Sequence, residues 1–454
     1  MNTQLQNKQL FTSVPVGKAV ISLAVPTVIG QLINVVYNMA DTFFIGQLGD
    51  PNQVAAGTLA MPLFIFLTAF ANLFGIGGAS MISRCLGAGK RDIARHCSAF
   101  CVWSAAALAF CYGIAVVLAR GVLLPLLGTD ENTADYCASY VLWTVGVGAV
   151  PTVLSAALAH LIRAEGYSKQ ASFGVAFGGI LNMVLDPIFI FAFKLEITGA
   201  AIATMLSNVA AVVYLAAFII RRRNISVITL SPRYYTAGHG IAGEVVAVGL
   251  PSFAMTLMST LSNAALNKII STYSNEAVAG MGIAKRIDLV AFAIAQGMTQ
   301  GTLPLIGYNF SSGDRKRMLS AIKVLLLDCM VVATVGMAAM FFAAAPITRL
   351  FINDTTTVAY GRMFLRIVCL ACPTTALNFL VITVFQATGK RVQPLILSLL
   401  RKGGLDIPIM LLLNHQVGIS GIAWSTPLAD ALALCVATAL LIPYLKKLKE
   451  GANG

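Results

Sequence analysis

The chain has 454 residues, of which 58% are hydrophobic and 11% charged, with a formal net charge of +13. A soluble domain carries about 25% charged residues, so a single water-soluble globule is excluded and a polytopic membrane protein is implied. The positive excess would suit a nucleic-acid partner, but the placement of the basic residues accounts for it and none is expected.

The opening residues, MNTQLQNKQLFTSVPVGK, are polar and lack the short apolar core and small-residue cleavage site of a removable leader. The first apolar segment is therefore expected to be its own insertion signal. A span needs about 20 mostly apolar residues. That criterion predicts twelve spans, at 19–46, 54–79, 97–118, 136–160, 170–193, 198–220, 245–272, 278–307, 318–343, 358–386, 392–413 and 418–443. The expected fold is an all-α integral membrane protein.

With the N-terminus placed in the cytoplasm, the connections on that side carry twenty basic residues, including Lys8, Lys18, Lys90, Arg91 and the run at 221–223. The opposite side carries Arg120, Lys194 and Arg349 only. This is the asymmetry of the positive-inside rule. Both termini are expected to be cytoplasmic, and most of the net charge is a topology signal.

The longest basic connection divides the chain into a six-helix lobe at 1–225, a cytoplasmic loop at 226–244 and a second six-helix lobe at 245–454. The lobes repeat each other. Pro26 answers Pro251, and Asn38 answers Asn263; LGAGKRD at 86–92 answers NFSSGDR at 309–315; Asp186-Pro187 answers Asp406-Ile407-Pro408. Each half has an even number of expected spans, so both enter from the same side. A parallel repeat with a site between two bundles suits alternating access.

The chemistry concentrates in the first half. At a rise of about 1.5 Å per residue, Asp41, Asp186 and Thr204 each lie about 12 Å below the outer surface, and Asn182 stands one turn from Asp186 on the same face. An acid inside a span marks a functional site by default. Two carboxylates together in a low dielectric either bind a cation or retain a proton. Pro187 deprives the Met183 carbonyl of its helical partner, adding a candidate oxygen ligand. Gly178, Gly179, Ala200 and Ala201 are small enough for close helix approach. Gly30, Asn34, Tyr37, Asn38 and Asp41 fall on one face of the first helix. The bland alternative, neutralisation of each acid by a basic neighbour, is weakened because no Lys or Arg falls inside the first six expected spans. Pro26 is either a passive kink or a hinge biased by the charge state above it.

The second half differs. Leu266 stands where the first half has Asp41, and Lys268 lies near the same depth as Asp406. A Lys268–Asp406 charge pair is one expectation; the alternative is that both face an aqueous cavity unpaired. Lys285, Arg286, Asp288, Arg401, Lys402 and Asp430 are further intramembrane charges, read as structural partners or substrate contacts. Asn34, Tyr37, Met281, Gln296 and Met298 are candidate substrate-cavity residues, an adaptable and weakly polar wall.

Other chemistries find little support. The phosphate-loop pattern fails at Gly89-Lys90, where Arg84 and Arg91 replace the required Gly and Ser/Thr. No nucleophile motif is present, so an enzyme is not expected, nor is a cofactor. The nine cysteines are scattered; the lone Cys369-x-x-Cys372 falls short of the four ligands of a zinc site. His96, His160, His239 and His415 have no ligand spacing.

Over essentially its whole length the chain resembles the multidrug and toxic compound extrusion (MATE) family. The resemblance rests on the twelve-helix repeat, the Pro26-x(14)-Asp41 motif, the Asn182-x(3)-Asp186-Pro187 motif and GAAIAT ending at Thr204. It implies an antiporter that exports amphipathic, often cationic drugs in exchange for Na⁺ or H⁺. It further implies a cation- or proton-coupling site at Asp41, Asn182, Asp186 and Thr204 and a bending first helix at Pro26. One branch of the family also has acids in helices 7 and 10; none stands there in this chain, which is similar to the branch coupling through the first lobe. The expected setting is the plasma (inner) membrane, multi-pass, with small drug-like substrates, the lipid bilayer as surroundings and function as a monomer. The alternatives are a lipid-linked precursor flippase of the same superfamily and a passive channel or scaffold without ion coupling.

Overall fold

The computed structural model describes residues 9–238, 240–352 and 354–453. Lys8 and His239 lie outside the described residues. The long helical segments are numbered in chain order. They are α1 Val16–Gly46, α2 Pro51–Gly87 and α3 Arg91–Leu126. The segment α4 comprises Ala134–Val141, a π-helical stretch Leu142–Val147 and Ala149–Ala164, and bends by 49° between its two parts. Helix α5 is Ser168–Pro187, continued by π-helical Ile188–Ala192, and α6 is Glu196–Arg221. Helices α7, α8 and α9 are Ile241–Ile270, Asn275–Ser311 and Arg315–Phe342. After a short helix Ala344–Arg349, α10 runs Thr355–Val368, one 3₁₀ turn and Cys372–Ala387. The segment α11 is Val392–Leu399, π-helical Leu400–Leu405 and Asp406–Val417, and α12 is Ile419–Asn453.

Among the described residues nine helices are singly long and apolar enough to cross a membrane, and the bent α4 would make a tenth. Twelve are expected from the sequence. Helix α8 and segment α11, the carriers of Lys285, Arg286, Asp288, Arg401 and Lys402, are the two that do not join the count. Large apolar side chains such as Leu118, Val122 and Leu126 on α3 and Val331, Val335 and Phe342 on α9 are exposed. Such a surface suits lipid rather than water.

The helix ends are set by local chemistry. Asp50, Ser274, Asp314 and Asp354 cap α2, α8, α9 and α10, their side-chain oxygens accepting the N–H groups of Asn52, Ala277, Arg317 and Thr357. These bonds satisfy amides that have no intrahelical partner. Four connections between basic-end helix termini turn through a left-handed glycine: Gly89 and Gly166 in the first half, Gly313 and Gly389 in the second, with φ of 73°, 87°, 84° and 75°. Gly89 and Gly313 each stand two residues after their helix ends, at Gly87 and Ser311, and Gly166 and Gly389 each two after Ala164 and Ala387, so the two halves share their turn chemistry.

Packing across the halves is concentrated in two helix pairs, α1 with α8 and α2 with α7. Glycines bring the backbones together. A Cβ on Gly77 would overlap the Val245 carbonyl oxygen, one on Gly249 that of Leu73, and one on Gly87 that of Tyr308. Around these contacts Arg84 pairs with Glu244. Gln386 donates from Nε2 to the Val248 carbonyl at 3.1 Å and to Ser252 Oγ at 2.8 Å. Arg317 reaches from α9 to the carbonyls of Phe11 (2.7 Å) and Leu10 (3.1 Å). All of these lie toward the end that carries the basic connections, where the two halves are packed together.

Candidate functional site

Helix α1 divides its length between the halves. In its lower part a Cβ on Gly301 of α8 would come within 2.7 Å of the Leu23 carbonyl oxygen, and one on Gly297 within 2.7 Å of Val28 Cα. In its upper part it lies on α5: a Cβ on Gly30 would meet Ser172 Cβ at 3.3 Å, and one on Gly179 would meet Ile33 and Tyr37 at 3.1 Å. Gly178 is equally close to α6, its Cβ position 3.0 Å from Ala211 Cβ. Of the small residues expected to permit close approach, Gly178 and Gly179 do so. Pro26 lies in the part held by α8, and α1 remains one continuous helix through it.

The close packing of α1, α5 and α6 brings the polar set together. Asn182 donates from Nδ2 to Asp186 Oδ1 at 3.1 Å and to Thr204 Oγ1 at 3.3 Å. Asn182 and Asp186 are buried, at 1% and 0% exposure. Asp41 lines a cavity of about 70 Å³ together with Tyr37, Tyr140 and Thr204. Asn182 lines an adjoining cavity of about 100 Å³ together with Asn34, Tyr37 and Thr204. Tyr37, Phe64 and Thr204 belong to both, and so form the wall between them.

Three oxygens in this set are buried without a hydrogen-bond partner: Asp41 Oδ1, Asn182 Oδ1 and Asp186 Oδ2. Among the described residues no Lys, Arg or His nitrogen forms an ion pair with either carboxylate. Unsatisfied buried oxygens are costly. Oxygen atoms of two acids, an amide and a hydroxyl are the donor set of a hard monovalent cation, and the acids can equally hold a proton. Pro187 ends the regular part of α5, and the chain continues as a π-helix; such bulges are frequent at functional sites. Beyond it Lys194 and Glu196 adopt positive φ of 54° and 53°, which re-aims the chain into α6.

The candidate cavity residues do not share one chamber. Asn34 and Tyr37 face the first-half cavities. Met281 and Gln296 line a larger cavity of about 480 Å³ formed mostly by α7 and α8 with Thr68 and Asn72 of α2. Met298 is buried elsewhere, in a small apolar space with Cys329 and Cys372. Helical spacing alone cannot tell these apart, because Gln296 and Met298 lie on opposite faces of α8.

The second-half charge pair requires correction. Asp406 pairs with Lys402, Nζ to Oδ2 at 3.4 Å, and accepts from Ser262 Oγ at 2.7 Å. Lys268 is exposed and is not its partner. Lys402 is four residues before Asp406 on the same segment, a spacing that brings side chains together; depth alone favours Lys268. Arg401 faces the other way and forms a buried pair with Asp430. Lys285 and Asp288 approach to 4.0 Å, and Arg286 is exposed. Ser262 and Tyr140 escape a reading of the sequence; Ser262 lies four residues from Leu266, the position that answers Asp41, the only available signal.

The chain matches the MatE family model twice, over residues 26–188 and 251–412. It belongs to the MatE family, the multidrug and toxic compound extrusion transporters, and is a multi-pass membrane protein. The multidrug export protein MepA of Staphylococcus saprophyticus is 32% identical over 443 residues, 97% of each chain. MepA of Staphylococcus aureus strain NCTC 8325 is 30% identical over 443 residues, again 97% of each. The crystal structure of MATE in complex with MaL6 superposes with a TM-score of 0.91 at 24% identity, covering 97% of this chain and 99% of that one. The fold is therefore that of MATE transporters.

Proposed function

We propose that this chain is a multidrug efflux transporter of the plasma membrane, a secondary active antiporter exporting amphipathic or cationic small molecules in exchange for Na⁺ or H⁺. The multidrug export names of its MepA relatives support the efflux reading. In this reading α1 to α12 are twelve spans, both termini are cytoplasmic, and residues 1–225 and 245–454 are two lobes that rock about the cavity between them. The protein acts as a monomer and uses no cofactor besides the coupling ion.

The observation that carries the proposal is the orphaned oxygen set of Asp41, Asn182 and Asp186, which among the described residues no basic group satisfies. Cation or proton occupancy there supplies the missing partner. Occupancy changes the charge facing α1 and is transmitted along it to Pro26, where the helix bends and its grip on α8 changes. A ligand shifts a conformational equilibrium only by binding one state better than another; the coupling ion does so because the oxygen set is complete in one shape of α1. Thr204 and Asn182 hold the acids in register for it.

The test is drug efflux from proteoliposomes under an imposed Na⁺ or pH gradient, for the parent, Asp41→Asn and Asp186→Asn. The expected result is that both variants bind drug and lose gradient-driven export. Undiminished gradient-driven export by both overturns the assignment.

A further inference from the structure

The sequence repeat gives each member of the first-half oxygen set a matching position in the second half, and the matching positions are filled differently. Asp186 answers Asp406, and the residue four before each is Asn182 in one half and Lys402 in the other. ITGAAIAT at 197–204 answers ISGIAWST at 419–426, so Thr204 answers Thr426. Leu266 stands where the first half has Asp41. In the first half one neutral amide serves both partners, since Asn182 donates to Asp186 Oδ1 and to Thr204 Oγ1. In the second half two ammonium groups take over those contacts. Lys402 Nζ lies 3.4 Å from Asp406 Oδ2, and Lys285 Nζ lies 3.4 Å from Thr426 Oγ1. The exchange extends one helical turn along. Asn208, four residues after Thr204, lines the 100 Å³ cavity, whereas its counterpart Asp430 is held by Arg401.

The second-half group is therefore neutral by itself: Asp288 has Lys285, Asp406 has Lys402 and Asp430 has Arg401. Asp41 and Asp186 have no such base among the described residues. A second cation beside Asp406 would have to crowd the Lys402 ammonium, and like charges repel strongly in a low dielectric. Yet the carboxylate has kept a free ligand atom. Asp406 Oδ1 is buried without a hydrogen-bond partner, just as Asp186 Oδ2 is. We propose that Lys402 is a tethered counter-ion that excludes the coupling ion from the second half and so confines coupling to Asp41 and Asp186. Replacing it by Asn, the residue at the matching position of the first half, opens a cation or proton site at Asp406. The inference rests on the coupling reading of the first half for its meaning in transport; the behaviour of Asp406 is a property of the second half alone.

The probe is N,N′-dicyclohexylcarbodiimide, an apolar reagent that modifies membrane-buried carboxyl groups not held in an ion pair. It is applied to the full-length protein in detergent, in a background carrying Asp41→Asn and Asp186→Asn, with no gradient and no drug. Failure of the first-half reading therefore cannot alter the outcome. The adduct at Asp406 is read by peptide mass spectrometry. Lys402→Asn is expected to raise it about tenfold or more over the same background with Lys402 retained, the scale on which an adjacent opposite charge alters a carboxyl group. Lys402→Arg, still cationic, should leave it low. Asp430, held by Arg401 on the same segment as Lys402, is the internal control and should not change. An adduct at Asp406 that is equal with and without Lys402 overturns the inference. So does a rise in Lys402→Arg that matches Lys402→Asn, or a parallel rise at Asp430, which would mean that Lys402 only props the segment. If Lys402→Asn does not fold, Lys402→Gln decides by the same criteria.

Discussion

Arg401 on α11 holds Asp430 on α12 by two hydrogen bonds, Nε to Oδ1 at 2.6 Å and Nη2 to Oδ2 at 2.9 Å. The guanidinium also lies 5.0 Å from the centre of the Phe379 ring, and the Thr375 hydroxyl donates to the same carboxylate. Both side chains are essentially removed from solvent. Removing one member of such a pair leaves an uncompensated charge, at a cost of about 3–5 kcal/mol, whereas replacing both by apolar groups is often neutral. Arg401→Met and Asp430→Leu are therefore each expected to lower the thermal unfolding temperature in detergent, and the double variant to recover most of the loss. A double variant as unstable as the sum of the singles would show that the pair does more than satisfy itself.

Asn182 is the hub of the first-half set, since its amide reaches both Asp186 and Thr204. Asn182→Leu keeps the volume and removes both donations. A hydrogen bond to a charged group contributes about 1.5–3 kcal/mol. The ion concentration that half-saturates gradient-driven export is expected to shift by about tenfold or more, with drug binding in the absence of a gradient much less affected. A flux titration on proteoliposomes measures the shift.

The packing of the basic end depends on backbone contact at Gly249, where any Cβ would overlap the Leu73 carbonyl. Overpacking costs about 1–3 kcal/mol, and here the strain is relieved by parting α2 from α7. Gly249→Val is expected to raise the population open at the basic end. The readout is a cysteine introduced at the buried Ser83 in a background without the native cysteines. Its labelling by an impermeant maleimide from the basic side should be faster in the Gly249→Val variant than in the same background with Gly249 retained.

Asp354 precedes α10, outside the membrane-spanning part, and accepts from the Thr357 N–H and hydroxyl, both at 2.7 Å. Those bonds hold its carboxyl below the usual carboxylate range. The cap is complete above the ordinary Asp value of about 3.9 and is lost as pH falls through the lower folded value. Amide exchange at Thr357, corrected for its intrinsic pH dependence, should therefore lose protection only at strongly acid pH. In Asp354→Ala it should be unprotected throughout.

Much of the fold is legible in the sequence because the membrane imposes it. Apolar length finds the helices, whereas the left-handed turns at Gly89, Gly166, Gly313 and Gly389 emerge only from the structure. Asp186, Asn182 and Thr204 can be placed together because one lies a helical turn from another and the third shares their depth. Lys268 misleads for the same reason: depth says nothing about azimuth. The π-helical stretch Leu400–Leu405 inserts an irregular turn just before Asp406, and it separates Arg401 from Lys402 into opposite environments. Nothing in a 3.6-residue period announces such a turn. The division of the cavity residues among separate spaces is illegible too, since it depends on which neighbouring helix covers each face.

The contacts of α1 have a mechanical consequence. It is one uninterrupted rod fastened at two places to two different bodies, below to Gly297 and Gly301 of α8 and above to Gly30's neighbour Ser172 and to Gly179 on α5. A rod clamped at both ends cannot stay rigid while its clamps move apart. Opening the basic end must therefore unfasten the lower clamp, slide it or break the rod between the two. Pro26 sits within the lower clamp, four residues below Gly30 where the upper one begins, and its missing N–H removes one of the backbone bonds that resist a fracture there.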